Sequence, residues 1–373
     1  MIKILFFIEN LNEGGAEKVL RDLVNHMDQG KFEITVQTLW PCEEGKRLNH
    51  GIRYRSVFTS RNKLTEALYR LEAALKWMYP LHIKDDYDIE AAYLEMGSTK
   101  IMAGSTNKHA VKLAWVHCNL KKAMACSQTF IDKTKKWYAA YDKVVCVSQS
   151  VKDAFDEMYG GHFDSVVINN VVDDAQILAL SNADLPLPPT EDLPILCAVG
   201  RLAAPKNYLR LLCAHRQLLS EGLAHQLWIV GEGPERPKLE AFIAEYGLHD
   251  SVRLLGFQNN PYPFMARADI LVCSSDYEGL STFVAEGIIL GKPIVTTDCG
   301  GMQELFGDSE CGLITDVSDK SFTDGVRKLL RDPNERELLA QRATICGKSL
   351  SAMRQTKRTE DFFLALAKEK SEP

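Results

Sequence analysis

Two glutamates and two cations carry the chemistry this sequence offers. Ser275-Asp-Tyr-Glu-Gly-Leu-Ser-Thr-Phe-Val-Ala-Glu-Gly287 directly follows a short apolar run that ends at Cys273. A strand, a turn containing Gly279 and a helix starting near Ser281 or Thr282 together make an anion site. The N–H groups of a first helical turn, around Leu280, Ser281 and Thr282, have no intrahelical partner, and the helix dipole is positive there, so a phosphate is held without a metal. Glu278 precedes the turn. Glu286 falls in the second turn of the helix, from where a carboxylate reaches back to vicinal hydroxyls such as those of a ribose. An E-x7-E spacing alone is common on solvated helices; its place after a buried strand, with Gly279 and Ser281 in the turn, points to function.

The second constellation is Val199-Gly-Arg-Leu-Ala-Ala-Pro-Lys-Asn207, which follows another apolar run. Gly200 permits a tight exit, Pro205 stops the strand and Asn207 caps the next helix. Arg201 and Lys206 then project from the carboxyl end of that strand. A rigid guanidinium fork and a mobile ammonium are a good complement to a diphosphate.

Those segments need a parallel sheet to bring them together, and the rest of the chain supplies the pattern for one. Short apolar runs alternate with helix-period segments throughout: Ile4–Ile8, Val111–Val116, Val144–Val147 and Val166–Ile168, then Ile195–Val199, Leu227–Val230, Val252–Leu255, Ile270–Cys273 and Ile294–Thr297. Strands buried on both faces and separated by helices predict an α/β architecture. A length of 373 residues suits two domains. Residues 181–194 hold four prolines and read as a semi-rigid linker. The expected division is therefore 1–180, the linker 181–194, and 195–354, with a last helix over about 355–370. Two doubly wound domains would face each other across a cleft lined by the carboxyl ends of both sheets.

Composition narrows the field further. No apolar run approaches the ~20 residues that span a bilayer. The apolar start, Met1–Ile8, breaks at Glu9 and reads as a buried strand, not a signal peptide. Ten scattered cysteines without a C-x-x-C pair suit a reducing compartment, and a cytoplasmic protein is expected. Residues 96–143 hold nine lysines against two acids within a chain of net charge −6, which suggests a local anionic partner and excludes bulk nucleic-acid binding. Leu64, Leu68, Leu71, Leu75 and Met78 make an amphipathic stripe that core packing explains most simply.

The C-terminal half resembles the retaining glycosyltransferases of the GT-B fold, specifically family 4. The resemblance rests on Gly200-Arg-Leu with Lys206-Asn207, Val230-Gly-Glu-Gly-Pro234, Leu255-Gly-Phe257, Glu278 with Glu286, Gly291-Lys-Pro293 and Gly300-Gly301, in the family's order and spacing. It implies that Arg201 and Lys206 hold the diphosphate of a nucleotide-sugar donor, that Glu286 binds the ribose and that Glu278 contacts the transferred sugar. Gly200, Gly231, Phe257, Leu280, Ser281 and Thr282 join the nucleotide-binding set. In the N-terminal half, Asn12-Glu-Gly-Gly-Ala-Glu-Lys18 looks like the family's glycine loop, placing Gly14 and Gly15 toward the donor phosphates. His117, after Val111–Val116, matches a histidine near the donor sugar. Val167-Ile-Asn-Asn-Val-Val-Asp173 departs from the family's I-P-N-G-V-D at Asn169 and Val171.

What the resemblance implies is a hexose or N-acetylhexosamine transfer with retention, UDP being the commonest donor nucleotide, to a glycan or lipid-linked saccharide acceptor. No cofactor is expected. A cation beside the leaving diphosphate makes a divalent metal unnecessary, and no D-x-D motif to bind one is expected in the chain. Two rivals stay open on the sequence: a sugar-nucleotide 2-epimerase, which needs no acceptor, and a non-catalytic sugar-nucleotide-binding protein on the same fold. The lysines of 96–143 with Trp137 and Tyr138 suit an anionic bilayer surface, hence a peripheral enzyme.

Overall fold

The computed structural model describes all residues except 13, 125–126, 186–192, 308–309 and 372–373. The chain divides into two compact units, Met1–Val171 with Ala352–Pro373, and Val172–Ser351.

The first unit is built on a seven-stranded sheet of β1 (Ile2–Phe7), β2 (Phe32–Thr38), β3 (Arg53–Ser56), β4 (Ile89–Ala92), β5 (Val111–Val116), β6 (Lys143–Cys146) and β7 (Ser165–Val167), in the order β3-β2-β1-β4-β5-β6-β7. All pairings are parallel; Ile4 of β1 stands beside Ile34 of β2 and Ile89 of β4. Ile4 to Phe7 are fully buried, as a central parallel strand covered on both faces requires. The last helix, Ala352–Ser371, returns to this unit. Its Phe363 packs its ring edge-on to Phe6 and Phe32, and Asp28 N donates to its Glu360 Oε1 at 2.7 Å.

The second unit has a six-stranded parallel sheet of β8 (Ile195–Val199), β9 (Gln226–Val230), β10 (Val252–Leu254), β11 (Ile270–Cys273), β12 (Ile294–Thr297) and β13 (Leu313–Thr315), ordered β10-β9-β8-β11-β12-β13. The chain winds outward from β8 in one direction and then from β11 in the other. Its topological switch point lies between these two neighbours, where open α/β sheets leave a crevice at the strand carboxyl ends.

Two sequence expectations change. Helix Asp174–Ser181 belongs to the second unit, not the first: Ile177 is fully buried, the helix packs on helices Tyr262–Arg267 and Thr282–Ile289, and Asn260 Nδ2 donates to Leu180 O at 2.9 Å. Residues 186–192 of the expected linker lie outside the described ones, whereas the apolar helix before them had to find a core. The stripe on helix Lys63–Ala74 is also not a core face. Leu64, Leu68, Leu71 and Leu75 are exposed, and the helix packs inward through Tyr69 and Ala73 while only Met78 of the stripe is buried.

Candidate active site

The switch point is occupied by the segments the sequence singled out. Gly200 and Arg201 leave β8, a short turn over Ala204–Lys206 follows, and Asn207 enters helix Tyr208–Ser220 with left-handed φ 44° and ψ 51°. Asn207 caps the helix by accepting from Arg210 N at 3.2 Å. Its Nδ2 donates to Asp276 Oδ1 at 3.1 Å, which ties the turn after β8 to the turn after β11. Asp276 N donates to Pro205 O at 2.7 Å, and Ser274 Oγ to Lys206 O at 2.9 Å. The two turns are thus one structure, although separated by some seventy residues.

That seam brings Lys206 to Glu278. Lys206 Nζ donates to Glu278 Oε1 at 2.6 Å, and Ser275 Oγ donates to the same oxygen at 2.7 Å. Glu278 N donates to Cys299 O at 2.6 Å, so the loop after β12 also fixes the glutamate. Burial works to lower the Lys206 pKa, but the Glu278 carboxylate outweighs it and holds the ammonium above its ordinary value. The lysine is therefore a fixed positive charge at neutral pH. Arg201 is exposed at the end of β8 and has no carboxylate partner among the described residues, so it is a cation available to an anionic ligand.

Helix Thr282–Ile289 starts beside this pair. Ser281 is its N-cap, with Oγ accepting from Val284 N at 3.4 Å, and the Thr282 and Phe283 amides lie ahead of the intrahelical ladder. Gly287 lets the helix press on the sheet: a Cβ there would come 2.6 Å from Leu271 Cδ1 of β11. Glu286 is buried, with Oε1 accepting from Tyr262 Oη at 3.3 Å. Its carboxylate is thereby oriented before any ligand arrives. On the other side of β8, Gly231 has φ 142° and sits so close to the turn that a Cβ would lie 2.0 Å from Gly200 O. Gly231 N donates to Gly256 O at 2.8 Å, and Phe257 follows as a half-exposed ring at the end of β10.

The remaining candidates lie in the first unit. Gly14 is the extended N-cap residue of helix Gly15–His26 after β1, so Gly14 and Gly15 form a βα turn at a carboxyl strand end. His117 follows β5 at the same end of the sheet. Its N–H donates to Glu95 Oε2 at 3.0 Å, its ring lies 5.0 Å from that of Tyr93, and its Nε2 is shut from solvent without a hydrogen-bond partner among the described residues. Burial lowers the His117 pKa, against an opposing pull from Glu95, so the ring is neutral.

Several contributors escaped the sequence reading. Asp276, Tyr262 and the Cys299 carbonyl act through partners distant in sequence, and Ser275 through Glu278 three residues on. Arg210 is another: 7 % exposed, it pairs with Asp276 Oδ1 at 2.9 Å and donates to Ser274 O at 2.9 Å, bracing the seam from beneath. Ser275 and Asp276 stand within the quoted stretch, and a small polar residue three positions before a key glutamate was the available signal. The chain does contain one D-x-D, Asp86-Tyr87-Asp88. Asp88 Oδ2 accepts from Lys3 N at 2.8 Å, at the amino end of the first sheet, away from the strand carboxyl ends. Of the lysines in 96–143, Lys121 pairs with Glu157 and Lys143 with Asp164, while Lys133 lies 5.7 Å over the Trp137 ring.

Comparison with known proteins bears on the family and the fold. Residues 185–345 match the model of glycosyl transferases group 1, and residues 13–176 that of Glycosyltransferase Family 4. A lipopolysaccharide core biosynthesis glycosyltransferase of Rhizobium meliloti, LpsE, is 25% identical over 338 residues, covering 88% of this chain and 89% of its own. An N-acetylgalactosamine-N,N'-diacetylbacillosaminyl-diphospho-undecaprenol 4-alpha-N-acetylgalactosaminyltransferase of Campylobacter jejuni is 26% identical, covering 95% and 97%. Among solved structures, the HepE protein of Anabaena in complex with UDP and glucose superposes with a TM-score of 0.75 at 18% identity, over 98% of this chain and all of that one. The sucrose-phosphate synthase of Thermosynechococcus elongatus reaches 0.79 at 19% identity, over 98% and 99%.

Proposed function

Because the chain belongs to the group 1, family 4 glycosyltransferases and has their GT-B fold, we propose that it transfers a hexose or N-acetylhexosamine from a UDP-sugar, with retention and without a metal, to a glycan or lipid-linked saccharide. Surface polysaccharide assembly at the cytoplasmic face of a membrane is the setting we assign. The relatives acting on lipopolysaccharide core and on a diphospho-undecaprenol saccharide support that acceptor class. HepE, a fold neighbour with UDP and glucose bound, supports the donor class.

One observation carries the reading: a lysine–glutamate pair seated at the switch point, beside a helix N-terminus and a buried, pre-oriented glutamate. The reaction breaks an anomeric C–O bond while negative charge grows on the leaving diphosphate. Lys206, Arg201 and the amides at Thr282 and Phe283 supply positive charge there in a fixed arrangement, the largest contribution a protein makes to such a step. Glu286 takes the ribose hydroxyls, and Glu278 faces the sugar. We assign the neutral His117, whose Nε2 has no hydrogen-bond partner among the described residues, to the donor sugar on the strength of the resemblance. We assign Gly14 and Gly15 to the donor phosphates on the resemblance of their glycine loop alone. The paired glutamate and lysine give the site a charge pattern suited to catalysis, which disfavours a purely binding role.

The test is a panel of nucleotide sugars screened by thermal shift, since ligands that bind the native state raise its melting point. Transfer is then followed in excess EDTA, with the anomeric signal read by NMR. A UDP-sugar that stabilises the protein, turnover in EDTA and a retained configuration are expected. Dependence on a divalent ion, an inverted product, or donor interconversion without an acceptor would each overturn the corresponding part.

A further inference from the structure

In the first unit, helix Lys63–Ala74 and the segment after it leave six large apolar side chains in solvent. Leu64, Leu68, Leu71, Leu75, Trp77 and Leu81 are between 40% and 77% exposed. The spacing 64, 68, 71, 75 sets the four leucines within one narrow stripe along the helix. The opposite side is anchored: Tyr69 and Ala73 enter the core, and the buried Glu72 Oε2 accepts from His82 Nε2 at 2.8 Å. Scattered exposed leucines are ordinary, whereas a continuous row of them beside a tryptophan marks a binding surface.

The charges around the row decide what covers it. Lys63, Arg70 and Lys76 are exposed and have no carboxylate partner among the described residues. The exposed acid on the helix side, Glu66, is engaged by Arg61 at 2.9 Å. A two-fold contact with a second copy would set these cations against their own images. A tryptophan and an apolar stripe rimmed by unpaired lysine and arginine match the headgroup level of an anionic bilayer, where a helix lies in the interface plane with its apolar face inserted.

We propose that helix Lys63–Ala74, with Trp77 and Leu81, is an interfacial element that inserts its leucine row into an anionic membrane. For its purpose this rests on the proposed transfer to a lipid-linked or membrane-proximal acceptor. It differs from a contact through the lysines of 96–143 in predicting burial of apolar side chains, and hence binding that survives salt.

The experiment uses the full chain with vesicles of phosphatidylcholine and phosphatidylglycerol, against pure phosphatidylcholine, by co-sedimentation at low and high salt. The wild type should sediment with the anionic vesicles and keep part of that binding at high salt. Leu68→Gln with Leu71→Gln should lower the partition by about a hundredfold, at roughly tenfold per buried leucine. Both residues are exposed, so the melting temperature and the thermal shift with UDP should match wild type. Lys63→Glu with Arg70→Glu should remove the preference for anionic lipid. A wild type that stays in the supernatant with both vesicle types overturns the proposal. So does equal sedimentation of the double-leucine variant, or a wild-type dimer that this variant makes monomeric while vesicles are ignored. Vesicle binding without any response to UDP would instead fail the donor assignment and leave the membrane surface standing.

Discussion

Lys206 Nζ and Glu278 Oε1 lie 2.6 Å apart across the junction of β8 and β11, joined by turns that share hydrogen bonds through Asp276 and Ser274. Each side of the pair arrives from a different strand, and a third, β12, holds Glu278 N through the Cys299 carbonyl. The arrangement stores opposite charges side by side at the point where a diphosphate leaves a sugar. An incoming diphosphate can share the ammonium while the carboxylate is left facing the sugar, without rebuilding the backbone beneath.

Lys206→Ala should therefore cut transfer by about 10²–10³-fold, the usual cost of removing one preorganised donor at developing charge. Folding should persist, because the turn is held by backbone and Asn207 contacts that the substitution leaves in place. Steady-state kinetics with a thermal melt of the same sample check both halves. Turnover close to wild type would remove Lys206 from the diphosphate.

Glu286→Ala should act mainly on donor affinity, and Glu278→Ala mainly on the rate with bound donor. A ribose contact persists from ground state to transition state, whereas a contact to the reacting sugar changes as the bond breaks. Tyr262→Phe should weaken UDP binding less than Glu286→Ala, since it loosens the carboxylate without removing it. Isothermal calorimetry with UDP distinguishes these. Unchanged affinity in Glu286→Ala would exclude the ribose role.

Gly231→Ala should destabilise the second unit and abolish activity. The new methyl would meet the Gly200 carbonyl oxygen at 2.0 Å, a backbone atom that cannot turn aside, and the φ of 142° already disfavours any side chain. Overpacking of this kind costs about 1–3 kcal/mol or more. Gly160→Ala is the comparison: it too has positive φ, 68°, but nothing stands within 4 Å of the added carbon. Denaturant melts of the two variants should separate clash from φ strain, and equal losses would contradict the close approach.

The α/β architecture and much of the site were legible because they are local. Strands such as Ile4–Phe7 and Ile270–Cys273 are buried on both faces and so read as unbroken apolar runs, and the turn after each has a glycine or cap where the backbone needs one. What failed to show was long-range. The ion pair of Lys206 with Glu278, the brace from Arg210 and the tyrosine on Glu286 all depend on which strands lie side by side, a fact no spacing encodes. The leucine row on helix Lys63–Ala74 misled for a related reason. Periodicity shows that one face is apolar, but not whether that face meets the core or something outside the chain.

The last prediction concerns acid. His215 Nδ1 and His225 Nε2 lie 2.8 Å apart, both rings being almost wholly buried, and His225 Nδ1 lies 2.7 Å from Leu223 O. A carbonyl only accepts, so His225 Nδ1 carries its proton and its Nε2 must accept from His215 Nδ1. That leaves His215 Nε2 to accept from Ser251 Oγ at 2.9 Å. The bond between the rings requires His225 to be neutral, since its Nε2 must accept. Burial, reinforced by the neighbouring His225, pushes the His215 pKa down to about 3, and burial lowers that of His225 as well. In the unfolded chain both titrate near about 6.5. The unfolded state therefore binds more protons below that pH, and through His215 the native state loses stability as pH falls from about 6.5 toward 3, by up to ~1.4 kcal/mol per pH unit, with His225 adding a loss of the same sign. Above pH 7 these two groups contribute no slope. Replacing His215 by Gln should lower stability at neutral pH, through the lost network, and should also flatten the dependence between pH 6.5 and 5 by about one proton. Urea unfolding across that range, on both proteins, reads the difference. Parallel curves for wild type and variant would mean that His215 takes up its proton as readily in the folded protein as in the unfolded chain.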